Sequence, residues 1–359
     1  MSVDKLKNIL ILKRDKLGDL ILTSFLIDEL ARKYPDSKID LWVSDFTKIV
    51  YEESPLIHRT YPIVRIRRVT VYAIYQIVKF LHVLGRLRST HYDLVIVAGG
   101  EYSPRAIKQT RFLRFSKLLA YCPSSCCQLH RRLTHSVDPP PADMHEATRM
   151  INLLRSLGID PSYNCLGSHR PSVAWSPVVD NAAKDFLLRA SLLPGQYAVI
   201  GMGARKAKRQ PTADQVIRWS LWFKTSLGLP VILSFTPRSS VDPGYPNDEQ
   251  AALNARQRCP SLVLLGGSLE EAIGVIRLAK IAILPDSGLM HAATTGQTKV
   301  LGLFADTENS PSPNQWGPVG AGCLTLVAQD RISDISDSDV YKGVISLISN
   351  EASTQRISV

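Results

Sequence analysis

Two α/β domains of Rossmann-like type, facing a cleft, are the fold class this sequence predicts. Three observations predict it. The length, 359 residues, exceeds one ordinary domain and suits two of about 150 to 180 residues each. Short apolar runs alternate with amphipathic stretches of helical period, the pattern of strands joined by crossover helices. The alternation breaks at a segment rich in Pro, Ser and Gly, residues 161–177, and then restarts, which makes that segment a linker. The domains expected are therefore residues 1–170 and 171–335. A C-terminal helix and tail, 336–359, are expected to pack back on the first domain.

The first domain opens with a β-rich run, Asn8 to Lys13, then the loop Arg14-Asp15-Lys16-Leu17-Gly18-Asp19. Leu20, Ile21, Phe25, Leu26 and Leu30 recur at helical spacing until the turn Pro35-Asp36-Ser37, and Ile39 to Val43 is the next strand. No G-x-G-x-x-G fingerprint sits in this unit, so a dinucleotide fold is weakly supported. Asp19 falls in the first turn of the helix. It reads as an acid complementing the helix dipole, or as a general base at the carboxyl edge of a sheet, where open α/β folds hold ligands.

Arg65, Arg67 and Arg68 precede a largely apolar helix, Val71 to Leu84, which Arg86 and Arg88 follow. Basic flanks suit a helix lying on an anionic membrane face, while the strand that follows, Leu94 to Ala98, suits a helix packed on the sheet. Gly99-Gly100-Glu101 then ends a strand at the same sheet edge as Gly18 and Asp19. Lys108, Arg111 and Arg114 have the spacing of one helical face, a binding surface for phosphates or carboxylates or else a solvated face. Met144 to Leu157 reads as a helix closed by Gly158.

In the second domain, helix Asn181 to Ala190 and strand Tyr197 to Gly201 lead into Gly203-Ala204-Arg205-Lys206-Ala207-Lys208-Arg209-Gln210-Pro211. Glycine followed by four cations, between a strand and a helix starting near Thr212, is an anion-site candidate but not a Walker loop. Pro230 to Phe235 is a strand, and the long loop after it holds Asp248 and Glu249. Ser268 with Glu271 opens a helix as a capping box. The apolar strand Ile281 to Leu284 then feeds the turn Asp286-Ser287-Gly288 into a helix beginning at Met290. Free N–H groups and the Ser287 hydroxyl suit a phosphate there, Gly288 lets a ligand close in, and Asp286 suits sugar hydroxyls. The same turn also reads as an ordinary helix cap. Val300 to Phe304, a loop with Trp316-Gly317-Pro318, and a helix near Val340 to Leu347 complete the chain.

Composition narrows the classes. Apolar content of 45% and charged content of 21% are those of a globular protein. The net charge of +11 calls for a polyanionic partner: nucleic acid, an anionic membrane surface or a phosphorylated substrate. No signal peptide and no spanning run of apolar residues is visible, so the six cysteines are expected as reduced thiols in a cytoplasm. Cys122, Cys126 and Cys127 cluster without a second pair at zinc-finger spacing, and no bound metal or cofactor is expected.

Three segments together resemble glycosyltransferase family 9, the lipopolysaccharide heptosyltransferases. They are Arg14 to Asp19, Gly203-Ala204 with Lys208 to Pro211, and Asp286 to Ala293, with the Phe304 to Pro318 tail in keeping. The resemblance implies a GT-B fold, an ADP-heptose donor held mainly by the second domain, an anionic glycolipid acceptor on the first, and metal-independent inversion. It implies Asp19 as general base and Gly18 beside the acceptor. Donor contacts would come from Gly203, Ala204, Lys208, Asp286, Ser287, Gly288 and His291, with Glu249 as an adenosine or ribose contact. Arg65, Arg67, Arg68, Lys108 and Arg111 would face the acceptor's carboxylates and phosphates, at the cytoplasmic face of the inner membrane. The sequence departs from the family pattern at Gln210, where family members usually have Trp, and in the longer Pro-rich segment before Glu249. Two rival readings stand beside it: a GT-B transferase with another donor or acceptor, and a non-catalytic nucleic-acid-binding protein, suggested only by the sequence pI of 9.4.

Overall fold

A computed structural model of the chain describes residues 5–14, 16–64, 71–160, 167, 169–238, 248–305, 312–349 and 356–358. It divides into two units, Met1–Asn164 with Ser172–Ser176, and Cys165–Pro171 with Pro177–Val359.

In the first unit the strands are β1 (Asn8–Lys13), β2 (Lys38–Ser44), β3 (Arg59–Ile63), β4 (His91–Val97), β5 (Arg114–Tyr121) and β6 (His135–Val137). They pair in the order β3-β2-β1-β4-β5-β6, and every pairing is parallel. The helices are α1 (Leu17–Leu22), α2 (Ser24–Lys33), α3 (Val71–Ser89), α4 (Pro104–Gln109) and α5 (Glu146–Asn152). The near-continuous apolar run of β1 is what a parallel strand covered on both faces requires, and Ile9 to Leu12 are fully buried. Leu10, Leu12, Trp42 and Val95 share one core with Val83 and Leu87 of α3. So α3 does pack on the sheet, through one side.

Two expectations are corrected here. Lys108, Arg111 and Arg114 do not lie on one helix. Lys108 lies in the last turn of α4, Arg111 sits in a 3-10 turn, and Arg114 opens β5, where exposed Arg114 and Ser116 alternate with the partly covered Phe115 and Lys117 in strand fashion. The helix expected over Met144 to Leu157 is α-helical only as α5, then tightens to 3-10 geometry before Gly158, which adopts φ 70°.

The second unit has β7 (Ala198–Gly201), β8 (Val231–Ser234), β9 (Val263–Leu265), β10 (Ile281–Pro285), β11 (Lys299–Ala305), β12 (Cys323–Ala328) and β13 (Arg356–Ser358). Their order is β13-β12-β11-β10-β7-β8-β9, again parallel throughout. Its helices are α6 (Pro177–Arg189), α7 (Ala213–Leu227), α8 (Asp248–Arg258), α9 (Leu269–Arg277), α10 (Gly288–Thr294), α11 (Pro313–Trp316) and α12 (Asp337–Ile348). Strand period two divides the core. Ala198, Ile200, Ile281 and Ile283 face α7, α8 and α12, whereas Val199, Ala282 and Leu284 face α6, α9 and α10. The C-terminal helix was expected on the first domain. Instead α12 lays Val340, Val344 and Leu347 into the core beneath β11 and β12, because that face of the sheet would otherwise be bare.

Each strand order reverses once. In the first unit it does so between β1 and β4, and in the second between β7 and β10. Connections leave in opposite directions at such a point and open a crevice at the carboxyl ends of the strands. All three motifs singled out in the sequence start there: Arg14 to Asp19 after β1, Gly203 to Pro211 after β7, and Asp286 to Gly288 after β10.

Candidate functional site

In the first unit, β1 delivers Lys13 at its last position and α1 begins four residues later. Asp19 is the third residue of α1, and its Oδ2 accepts from the Lys16 backbone N–H at 3.3 Å. Gly18 is buried in the same turn. Lys13 Nζ lies 3.8 Å from Asp19 Oδ1 and 3.6 Å from Glu146 Oε1. Glu146 Oε1 also accepts from the Gly100 N–H at 2.9 Å, in the loop after β4. A Cβ at Gly100 would overlap that carboxylate, so only glycine allows the approach. Arg149, one turn further along α5, donates to the carbonyls of Gly100 (3.1 Å), Met144 (3.0 Å) and Pro141 (2.7 Å).

This buried network ties the loops after β1 and β4 to α5. Lys13 is 1% exposed and Glu146 3%, whereas Asp19 keeps 16% of its side chain open. One ammonium thus faces two carboxylates, and the carboxylate that reaches solvent is Asp19. Thr23 holds the back of the helix, donating from Oγ1 to the Asp19 carbonyl at 2.8 Å. Sequence reasoning chose Asp19 as a candidate and did not anticipate the Lys13, Glu146 and Arg149 network beside it. A lysine closing an apolar strand was the one available signal.

Of the expected acceptor residues, Arg65, Arg67 and Arg68 lie outside the described residues. Lys108 and Arg111 are near in sequence but differ in setting. Arg111 stacks over Phe112 at 4.5 Å. Lys108 sits close enough to His130 to help burial lower that imidazole's pKa, and His130 Nε2 hydrogen-bonds the Tyr102 hydroxyl at 2.8 Å.

In the second unit the loop after β7 and the turn after β10 leave neighbouring strands and are joined by an ion pair. Arg209 Nη1 donates to Asp286 Oδ2 at 3.0 Å, with both side chains largely covered. The four-cation loop therefore spends one cation on its neighbour. Lys208 Nζ stands 3.9 Å from Asp330 Oδ1 at a half-exposed position. Gln210 donates to the Ala204 carbonyl at 3.2 Å and folds the loop on itself. Gly203 abuts Thr236 and Asp248: a Cβ would stand 2.9 Å from Thr236 Oγ1 and 3.4 Å from Asp248 Oδ2. Asp248 accepts from the Thr236 N–H at 3.1 Å, and burial raises its pKa. Glu249 turns to the loop after β8, where Oε2 accepts from the Arg238 N–H at 2.9 Å.

The Asp286 N–H donates to the Leu303 carbonyl at 3.1 Å, which extends the β10–β11 ladder into the turn. Ser287 caps α10 in extended conformation and makes no side-chain cap bond, so its hydroxyl is not consumed by the helix. Gly288 is the first helical residue. His291, in α10, is 2% exposed. Gly302 of β11 leaves room for Met290 and Pro318, which locks the Trp316 to Pro318 segment against the motif helix. Sequence reasoning chose Lys208 and Asp286 here but did not anticipate Arg209 between them.

The model of glycosyltransferase family 9 (heptosyltransferase) matches residues 243–332. Lipopolysaccharide heptosyltransferase 3 of Escherichia coli is 24% identical over 300 residues, 81% of this chain and 82% of that protein. Among solved structures, a family 9 glycosyltransferase of Veillonella parvula superposes with a TM-score of 0.79 at 17% identity, covering 98% of this chain and 99% of that one. The Escherichia coli heptosyltransferase WaaC with ADP gives 0.73 at 18% identity, covering 95% and 99%. Escherichia coli ADP-heptose heptosyltransferase II gives 0.71 at 16% identity, covering 96% and 99%.

Proposed function

We propose, from the premise that this chain is a GT-B glycosyltransferase related to family 9, that it moves a heptose from ADP-heptose onto the lipopolysaccharide inner core. The relatives' names support the donor and the acceptor class. The observation that carries the reading is the carboxylate of Asp19. It stands at the carboxyl edge of its sheet, open to solvent on one side and held by Lys13 and the Lys16 N–H on the other.

The chemistry follows from that placement. An acceptor hydroxyl attacks the anomeric carbon of the donor sugar. The new C–O bond forms as the C–O bond to the diphosphate breaks, and ADP leaves with the bonding electron pair. The proton goes from the hydroxyl to Asp19, a fixed acceptor whose partners keep its rotamer. One displacement inverts the anomeric centre. Negative charge grows on the departing diphosphate, where Lys208 supplies positive charge and Gly203, Ala204, Ser287 and Gly288 supply a close-fitting backbone. Asp286, oriented by Arg209, accepts from the sugar hydroxyls. Glu249 is the candidate for the ribose. Lys108 and Arg111, with Arg65, Arg67 and Arg68, meet the acceptor's carboxylates and phosphates, and the enzyme works at the cytoplasmic face of the inner membrane.

One observation favours a second reading, a GT-B transferase using another sugar nucleotide. Gln210 replaces the tryptophan of the family loop and donates to Ala204, so the donor loop closes by a different contact. The test is unfolding of the purified protein with ADP, UDP, GDP, CMP and ADP-heptose in turn. A ligand at about 100 times its Kd adds roughly 2.7 kcal/mol of stability. Stabilisation by ADP and ADP-heptose alone is expected. Stabilisation by UDP or GDP instead would move the enzyme to another donor. Binding of random oligonucleotides with no nucleotide effect would favour a nucleic-acid protein.

A further inference from the structure

Helix α3 has a second apolar side whose large side chains are exposed among the described residues. Val83 and Leu87 point into the core. On the opposite side Ile74, Tyr75, Ile77, Val78 and Leu81 are 42 to 65% exposed. Ile74, Val78 and Leu81 follow i, i+4, i+7 spacing, so they form one ridge, with Tyr75 and Ile77 on its flanks. Phe46, also exposed, belongs to the turn that meets the helix where Lys79 Nζ bonds Asp45 Oδ2 at 3.1 Å. A contiguous patch of large apolar side chains on a soluble protein marks a contact surface.

The same side of α3 changes character along its length. Beyond Leu81 come His82, Gly85, Arg86 and Arg88, all exposed. The helix contains no Asp or Glu. Arg86 lies over the Tyr61 ring at 5.8 Å and Arg88 donates to the Phe112 carbonyl at 2.9 Å, so both cations are held at the surface. Two turns of apolar side chains followed by fixed cations is the layout of a helix that lies in a lipid interface. The apolar ridge enters the acyl boundary and the cations meet anionic headgroups. No helix among the described residues is long and apolar enough to cross a membrane.

We propose that the outer face of α3 docks the protein on an anionic lipid bilayer. Charge complementarity selects this occupant. A second copy carries the same net charge of +11 and would be repelled. A two-turn ridge also falls well short of the roughly 800 Å² per partner that a stable dimer buries. The assignment deepens the reading above, whose acceptor sits in a membrane, and is tested apart from it.

The experiment is flotation of the full chain with vesicles of phosphatidylcholine alone and of phosphatidylcholine with phosphatidylglycerol. Binding to the anionic vesicles only, weakened by salt, is expected. The triple variant Ile74→Ser, Val78→Ser, Leu81→Ser should lose at least about tenfold in vesicle affinity at unchanged melting temperature. Arg86→Gln with Arg88→Gln should flatten the salt dependence. Tyr75→Trp should be quenched by brominated acyl chains, a readout that needs no loss of function. Three results would overturn the proposal: wild-type protein that ignores anionic vesicles, a triple variant that binds as wild type does, or a dimer that the triple variant dissolves. No nucleotide or acceptor is present, so failure here leaves the transferase reading standing, and failure of sugar transfer leaves the docking surface standing.

Discussion

Lys13 Nζ lies 3.8 Å from Asp19 Oδ1 and 3.6 Å from Glu146 Oε1, with its own side chain 1% exposed. A buried ammonium between two carboxylates is a costly arrangement unless all three charges are held in place. Here the strand, the helix and the glycine loop hold them. Replacing Lys13 with Met keeps the volume and leaves two like charges facing each other. Urea unfolding should show a loss of about 3 kcal/mol or more. Turnover should fall with it, because Asp19 loses its orienting partner. A Lys13→Met protein with wild-type stability would mean that the ammonium is not part of the network.

Arg209 plays the corresponding part in the second unit. Its pair with Asp286 at 3.0 Å is largely covered. Arg209→Ala should strand the Asp286 carboxylate, cost about 3 kcal/mol of stability and raise the donor KM. Arg209→Lys should recover part of the stability but less of the donor affinity, since a lysine lacks the planar fork. Equal donor affinity in all three proteins, read by calorimetry, would separate this pair from the donor site.

Lys208 is the loop cation assigned to the phosphates on the proposed reading. Its pair with Asp330, 3.9 Å long and half-exposed, is weak enough to exchange for a diphosphate. Lys208→Ala should weaken ADP and ADP-heptose together, by roughly tenfold or more. Unchanged ADP affinity would remove Lys208 from the donor site.

These three cases mark how much could be read from the chain itself. β1 and β10 were legible because a strand buried on both faces is written as an uninterrupted apolar run. Asp19, Lys208 and Asp286 stand out as candidates because each follows such a run at a turn. Glu146 and Arg149 were not, since both reach Gly100, more than forty residues away, and nothing local distinguishes them from surface charges. In the loop Arg205 to Arg209 the composition offers an anion-site candidate but does not say which cation turns inward to Asp286. β5 was hidden by Arg114, whose exposed position at the strand's opening continues the spacing of Lys108 and Arg111 and imitates a basic helix. The short edge strands β3 and β6 carry too few residues for a period to show.

Stability should also depend on pH through Asp28. Burial, and then the neighbouring Glu29, push its pKa up to about 6. The folded state therefore holds this proton more tightly than the unfolded state does. Between the ordinary carboxylate range and about 6, the contribution of Asp28 to stability falls as pH rises. Asp28→Asn should remove that slope. The variant should gain on the order of 1 to 2 kcal/mol near neutral pH and nothing at about pH 4. Parallel urea titrations at the two pH values check this, and a variant equally stabilised at both would assign the effect to something other than ionisation.

The most direct test of the account is Asp19→Asn, assayed for sugar transfer from ADP-heptose and for ADP affinity on the same preparation. The amide keeps the size of the side chain and cannot take the proton. A fall in kcat of about a hundredfold to ten-thousandfold at unchanged ADP affinity is the expected result. Near-normal turnover would contradict the account, because the group that reaches solvent at the edge of the first sheet would then not be the base.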